Sequence, residues 1–436
     1  MTRKSKIKGA IALLLCGWLS VTVIAAQKTD GTSTPSLTKE QWRQDLQHLA
    51  KELPRRHKNA FHTISKEQFE SAVAELDAAI PSLQEHEILV GLRRIVAMIG
   101  DAHTALAPPT NFHRYPLTLY WFGNDLRVLR TTADYKRALG ARVVGMGGLS
   151  LAKAVAAVNT LVPHENDQFV RYSDVSLLPF AEVLQALRIV PSLQRAKWTF
   201  EDDKGEQFSL ELEPVPQDAQ IGWLSTLKAV PLYRQRLNEQ MWFTAIPDSQ
   251  SVYLNLKVYP DAETFKRVSD GLWKQVDSSQ PKRLIIDLRQ SNGGDFIKFQ
   301  THLLKELKQR PAFRKPGSLY VIIGRGTISA AMVNAIELRK ELTATLVGEP
   351  TGSNVPSTRV ERHRRYDATD ASGEGTHETT IVSPATAVVT WLGGAGGITS
   401  RTTTRTPFER TLVRPNGSIP AIAYVRVSPT RVALSR

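Results

Sequence analysis

The alternation of strand and helix patterns between Ser251 and Pro356 constrains this chain more than any other feature. Val252 to Leu256 reads as a strand, and Phe265, Val268, Leu272 and Val276 form a stripe at helical spacing. Arg283 to Leu288 reads as a strand buried on both faces. A helix from Ile297 to Leu307, a strand from Leu319 to Ile323, a helix from Ala330 to Glu341 and a strand from Thr345 to Val347 complete the series. Successive strand-helix-strand units require right-handed crossovers, so the segment predicts an α/β core with a largely parallel sheet. Chemistry in such sheets gathers beyond the carboxyl ends of the strands. Two segments sit there.

The first is Asp287-Leu288-Arg289-Gln290-Ser291-Asn292-Gly293-Gly294-Asp295, which leaves a buried strand and enters a helix. Its paired glycines let backbone N–H groups approach a ligand at a helix N-terminus, as an oxyanion or phosphate cradle requires. A tight turn closed by an Asp287 to Arg289 ion pair is the plainer reading. A Walker-type phosphate loop is excluded, because no lysine and hydroxyl follow the glycines. The second segment is Gly324-Arg325-Gly326-Thr327-Ile328-Ser329-Ala330-Ala331. A serine at a strand-to-helix turn can present its hydroxyl as a nucleophile while the next N–H points to where an oxyanion forms. It can equally be a helix N-cap.

A serine nucleophile needs a base. The chain has 22 lysines and none follows Lys340, so a downstream lysine cannot serve. Histidine is the remaining choice, and His103 lies in the string Asp101-Ala102-His103-Thr104 just past a helix. That helix carries Ile88, Leu92, Ile95 and Ile99 and stops at Gly100. Two others precede it, each opened by a capping-box pattern, Thr38 with Gln41 and Ser65 with Gln68.

Between Tyr115 and Pro214 short apolar runs alternate with helical stretches, which predicts a small mixed α and β module. Its Val144-Gly145-Met146-Gly147-Gly148-Leu149-Ser150 imitates a dinucleotide fingerprint, with Glu165 about 20 residues on. Ser150 at the third small position and the lack of a following parallel-strand series argue against a nicotinamide site.

Taken together, Ile99-Gly100-Asp101-Ala102-His103-Thr104, Asp287-Leu288-Arg289 with Gly293-Gly294, Thr327-Ile328-Ser329-Ala330-Ala331 and Val347-Gly348-Glu349-Pro350-Thr351-Gly352 resemble the tail-specific, or C-terminal processing, serine peptidases. The likeness spans residues 38–356 and is nearer to their histidine-using branch, the tricorn protease core, than to the serine and lysine branch. It implies Ser329 as nucleophile, His103 as general base, and the Gly293 and Ala330 N–H groups as oxyanion hole. It implies a crotonase-like core over 250–356, a helical part over 38–110 and a degenerate PDZ-like module over 115–215. Such a module would add a substrate peptide as an extra strand. Peptide-bond hydrolysis through an acyl-enzyme, with a peptide or protein substrate and no metal or organic cofactor, is the expected activity. Ser291 stands where the family usually has asparagine. After Thr358 the likeness ends; Glu361, Glu374 and Glu378 fall in no recognisable motif, so no third catalytic member is assigned.

Residues 357–436 also change in composition, holding 11 Arg and no Lys where residues 1–356 hold 23 Arg and 22 Lys. The expectation is a tail out of frame with an ancestral coding sequence, or a replacement, with a β-rich or disordered extension as the alternative. At the other end Arg3, Lys4, Lys6 and Lys8 precede an apolar stretch from Ile11 to Ile24 that ends in Ala25 and Ala26. This pattern predicts a signal peptide over 1–26, since about 20 apolar residues are needed to span a bilayer. Its removal takes away Cys16, the one cysteine, and the mature chain is expected to be periplasmic or extracellular. A membrane would be touched only through that segment if it stays uncleaved. The net charge of +14 is spread along the chain, which argues for a basic solvated surface and against a nucleic-acid partner. The rival function is a catalytically impaired relative that binds peptides or apolar ligands; an adhesion or scaffold role for the middle module is the third class.

Overall fold

The computed structural model of the protein describes residues 37–106, 109, 111–353, 378–382 and 388–392. The leader, Cys16, Glu361 and Glu374 lie outside the described residues. The described chain opens with α1 (Lys39–Arg56), α2 (Lys66–Ala79) and α3 (Glu85–Ala97). Thr38 and Ser65 accept the N–H of Gln41 and Gln68, whose side chains return the bond, so two orphan donors are satisfied at each start. The apolar stripes of the three helices, with Trp42, Leu46, Phe69, Ile88 and Ile95, are buried.

The middle of the chain forms β1 (Thr104–Ala105), β2 (His113–Arg114), β3 (Thr118–Phe122), β4 (Asp125–Thr131), β5 (Arg142–Met146), β6 (Leu149–Ser150), α4 (Leu151–Asn159), α5 (Asp167–Leu177), α6 (Ala181–Ala186), β7 (Ala196–Glu201), β8 (Gln207–Leu212), β9 (Val215–Pro216) and β10 (Leu224–Ser225). An antiparallel sheet runs in the order β10-β4-β5-β7-β8, with β3 on β4 and β6 on β5. Leu126, Val128, Val143, Trp198 and Phe200 from this sheet share one continuous apolar core with the stripes of α1 to α3. The glycine string that imitates a dinucleotide fingerprint is a hairpin: Met146 pairs with Leu149, and Gly147 and Gly148 take φ of +58° and +84° between them. Two successive positive φ values are what a tight two-residue hairpin turn demands.

The third part contains β11 (Met241–Ile246), β12 (Ser251–Leu256), α7 (Ala262–Ser279), β13 (Arg283–Asp287), α8 (Phe296–Phe299), which passes through a π-helical stretch into α9 (Lys305–Lys308), then β14 (Leu319–Ile323), α10 (Ala330–Leu342) and β15 (Thr345–Gly348). The sheet order is β11-β12-β13-β14-β15. The three inner pairings are parallel, with Leu254 beside Ile286 and Ile286 beside Val321. Only β11 is antiparallel. Its residues carry no helix after them to signal a crossover, so the strand-helix alternation does not reveal it. Leu284, Ile286 and Val321 lie in a second core with Phe265, Leu272, Leu303 and Leu338 from the covering helices.

In the tail, β16 (Glu378–Val382) and β17 (Val388–Leu392) pair as an antiparallel hairpin. β17 also pairs with β1, Thr104 opposite Trp391 and Ala105 opposite Thr390. The two strands of the tail therefore dock beside the segment that carries His103. No helix among the described residues is long and apolar enough to cross a membrane.

One buried acid in this scaffold makes stability depend on pH. Asp174 on α5 is 1% exposed and accepts the Trp121 indole N–H at 2.9 Å. Burial pushes its carboxyl up to about 7, against the pull of that bond. A raised acid pKa means that the fold holds a proton the unfolded chain has lost, so stability falls as pH rises from about 4 through 7. Asp174→Asn keeps the indole acceptor and carries no charge. Urea melts should show it more stable than the parent at pH 8, by a few kcal/mol at most, with the advantage vanishing near pH 4.

Candidate active site

The turns that follow β13 and β14 meet at the carboxyl end of the parallel sheet. Thr327 holds them together: its hydroxyl donates to Leu288 O at 2.7 Å and accepts the Gly324 N–H at 3.0 Å, while Ile328 N–H donates to Ser291 O at 3.0 Å. Asp287, 1% exposed, forms the ion pair with Arg289, 2.8 Å from Oδ2 to Nη2, and also accepts the Tyr253 hydroxyl at 2.7 Å. The plainer reading of the glycine loop is therefore present in its ion pair, and it coexists with a second feature.

That feature is the approach of Gly293 to the serine turn. Gly293 has φ +94°, and a Cβ at this position would lie 2.8 Å from Ala330 N, 2.9 Å from Ile328 O and 2.9 Å from Ser329 Cβ. Only a residue without a side chain lets the two backbones come this close. Three of the four residues singled out from the sequence, Ser329, Ala330 and Gly293, are thus brought together. Among the described residues neither the Gly293 nor the Ala330 N–H meets an acceptor. Ala330 is the first residue of α10, whose N-terminal dipole favours negative charge at that spot.

Ser329 is no ordinary cap. It precedes α10 with φ 55° and ψ −127°, a backbone region that residues with side chains rarely occupy, and its side chain caps nothing. Its own N–H donates to Ser353 Oγ at 3.0 Å, and among the described residues its hydroxyl forms no hydrogen bond, to His103 or otherwise. The N-cap reading of the serine is set aside by this geometry.

His103 sits in a separate cluster built on Asp101. One carboxylate oxygen of Asp101 lies 3.3 Å from His103 Nδ1 and accepts the His103 N–H at 2.9 Å. The other lies 3.1 Å from His57 Nε2 and accepts the Thr104 hydroxyl at 3.1 Å. Burial works against ionisation of Asp101, but the hydrogen bonds from His103 and then His57 overcome it and hold the carboxyl well below the ordinary aspartate range. In the sequence Asp101 stands out only as part of the string around His103, with no role of its own, and His57 does not stand out at all. Asp101 stands two residues before His103, the spacing of an Asx turn, and that signal was available; His57 carried none. Asp101, His103 and Glu165 each bring a ligand atom within 4.8 Å of the others. That trio could hold a cation as well as poise a base.

Both clusters flank residues 351–353. Asn166, next to Glu165, donates to Thr351 O at 3.4 Å, and Ser353 takes the Ser329 N–H. Arg325, 7% exposed, fixes the serine turn to the middle sheet by donating to Trp121 O at 2.9 Å and Gln168 Oε1 at 3.1 Å, and by pairing with Glu349 at 3.0 Å. Tyr120 also donates to Glu349, which helps burial push the phenol up to about 12.

Gly293→Ala tests the approach of the two backbones. The methyl group would meet Ala330 N at 2.8 Å in a left-handed conformation. The expected cost is about 1–3 kcal/mol of stability in chemical melts. A variant as stable as the parent would show that the two loops have room to spare.

No protein-family model matches the sequence, and no curated protein matches it. Among solved structures the chain is similar to mature CPAF complexed with lactacystin, with TM-score 0.51 and 12% identity over 82% of this chain and 90% of that one. It is similar to mature CPAF in a second structure at TM-score 0.50 and 14% identity, over 82% and 89%. The photosystem II D1 C-terminal processing protease matches at TM-score 0.34 and 14% identity, over 82% and 88%. At these identities the CPAF likeness establishes a shared fold.

Proposed function

We propose that the protein is an exported serine peptidase of the tail-specific type, with a crotonase-like core and a PDZ-like middle module. The observation that carries this reading is the turn at Ser329: a strained serine whose hydroxyl caps nothing, beside two N–H groups that meet no acceptor among the described residues. The fold shared with mature CPAF is consistent with this reading.

The proposed chemistry gives each residue one part. His103 takes the Ser329 proton as Oγ bonds to the peptide carbonyl carbon, and the carbonyl oxygen gains its negative charge between the Gly293 and Ala330 N–H groups. The amine leaves with the proton returned by His103, and water then releases the acyl group by the same steps. Asp101, 3.3 Å from His103 Nδ1, orients the ring so that Nε2 can serve the serine. The hydroxyl and imidazole draw together when substrate enters, since catalytic hydrogen bonds commonly tighten only then.

The test is hydrolysis of a mixed peptide library, read by mass spectrometry. The parent should cleave, and Ser329→Ala and His103→Gln should each lose at least about a thousandfold in rate while melting like the parent. Cleavage that survives Ser329→Ala overturns the assignment of the nucleophile.

A further inference from the structure

An imidazole and two carboxylates converge at His103, and the proposed hydrolysis uses only part of what they can do. Asp101 and His103 stand between α3 and β1, and Glu165 stands in the turn that precedes α5. Each offers one ligand atom, and the three atoms lie within 4.8 Å of one another. Zinc bonds of about 2.0–2.2 Å hold donor atoms roughly 3.4 Å apart in a tetrahedral shell. Asp101 Oδ1 and His103 Nδ1 are already 3.3 Å apart, so modest side-chain rotation closes the shell. The backbones that carry the group are fixed. The His103 N–H and the Thr104 hydroxyl both donate to the Asp101 carboxylate. Asn166, next to Glu165, accepts the Phe169 N–H at 2.8 Å and donates to Thr351 O at 3.4 Å. His57 Nε2, 3.1 Å from the second Asp101 oxygen, is the kind of outer partner that orients a ligating carboxylate. The Asp101 and His103 side chains are 23% and 30% exposed, so an ion can reach them from solvent.

Two carboxylates and one neutral imidazole carry two negative charges, which a divalent cation neutralises. Calcium and magnesium take oxygen ligands, whereas an imidazole in the set favours zinc. We infer that Asp101, His103 and Glu165 form a binding site for one zinc ion, and that the ion held there takes the His103 imidazole out of use as a base. A neutral imidazole has one lone-pair nitrogen and one N–H. The metal occupies the lone pair and the proton stays on the other nitrogen, so nothing remains on the ring to accept the Ser329 proton. Zinc at this site is an inhibitor and takes no part in hydrolysis. The effect on activity rests on the peptidase reading; the donor set stands apart from it.

Binding and activity are read separately. Chelator-treated full-length protein is titrated with zinc chloride by calorimetry, and one equivalent should bind. Glu165→Gln and His103→Gln should each weaken that affinity at least about tenfold, with urea midpoints like the parent's. His164→Gln removes the exposed histidine beside Glu165, which pairs with Asp167, and should leave the affinity unchanged. At a zinc concentration that just saturates the parent, its rate of fluorophosphonate labelling at Ser329 should fall at least about tenfold and return with excess EDTA. Glu165→Gln at the same concentration should keep most of its own zinc-free rate. No binding, binding that survives both Glu165→Gln and His103→Gln, binding lost in His164→Gln, or parent labelling unmoved by bound zinc overturns the inference. Failure of the peptidase reading would instead appear as zinc-free parent that neither labels nor hydrolyses, with zinc binding and its loss in the two variants intact.

Discussion

The candidate site depends on one close approach between backbones. Gly293 sits where any side chain would collide with Ala330 N and Ser329 Cβ. Parallel pairing of β13 with β14 delivers both loops to the same sheet end, with Asp287 beside Ile322. The Thr327 hydroxyl then bridges them by bonding to Leu288 O and the Gly324 N–H at once. With these bonds in place the chain can hold Ser329 at φ 55°, a conformation that local preference alone would refuse. Such strain is retained only where the surroundings over-determine it, and three backbone-directed bonds within a few residues do so here.

The second support comes from outside the parallel sheet. Arg325 reaches from the serine turn to Trp121 O on the antiparallel sheet and to Gln168 on α5, and its charge is balanced by Glu349. A buried guanidinium without these partners would be strongly unfavourable, so the turn and the middle sheet keep one relation to each other. Ile328, one residue before the serine, is packed in the core of the helical part and middle sheet, whereas Ala330, one residue after it, lies in the core of the parallel sheet. Ser329 thus stands at the seam of two apolar cores, which is where a substrate could be held by one and acted on by the other.

Much of this was legible in the sequence because it rests on local rules. The capping boxes at Thr38 and Ser65 and the parallel strands from Val252 to Val347 follow from short-range pattern, and so did the grouping of Gly293, Ser329 and Ala330 at one sheet end. What escaped notice depends on distant pairing. His57 meets Asp101 across 44 positions, and Ser353 meets Ser329 across 24, with no periodicity to announce either. Glu165, which in the sequence stands only at the spacing of a ribose acid, brings a carboxylate oxygen within 4.8 Å of ligand atoms of His103 and Asp101. The edge strand β11 was missed because an antiparallel edge needs no crossover helix and so lacks the alternation that marked its neighbours.

The central claim is that Ser329 is a nucleophile poised beside an oxyanion hole. It is tested most directly by treating the purified full chain with a fluorophosphonate probe and mapping the adduct by peptide mass spectrometry. The account predicts a single phosphonylated peptide containing Ser329, with labelling suppressed when His103 is replaced. A folded protein that takes no label, or takes it on another residue, would contradict it.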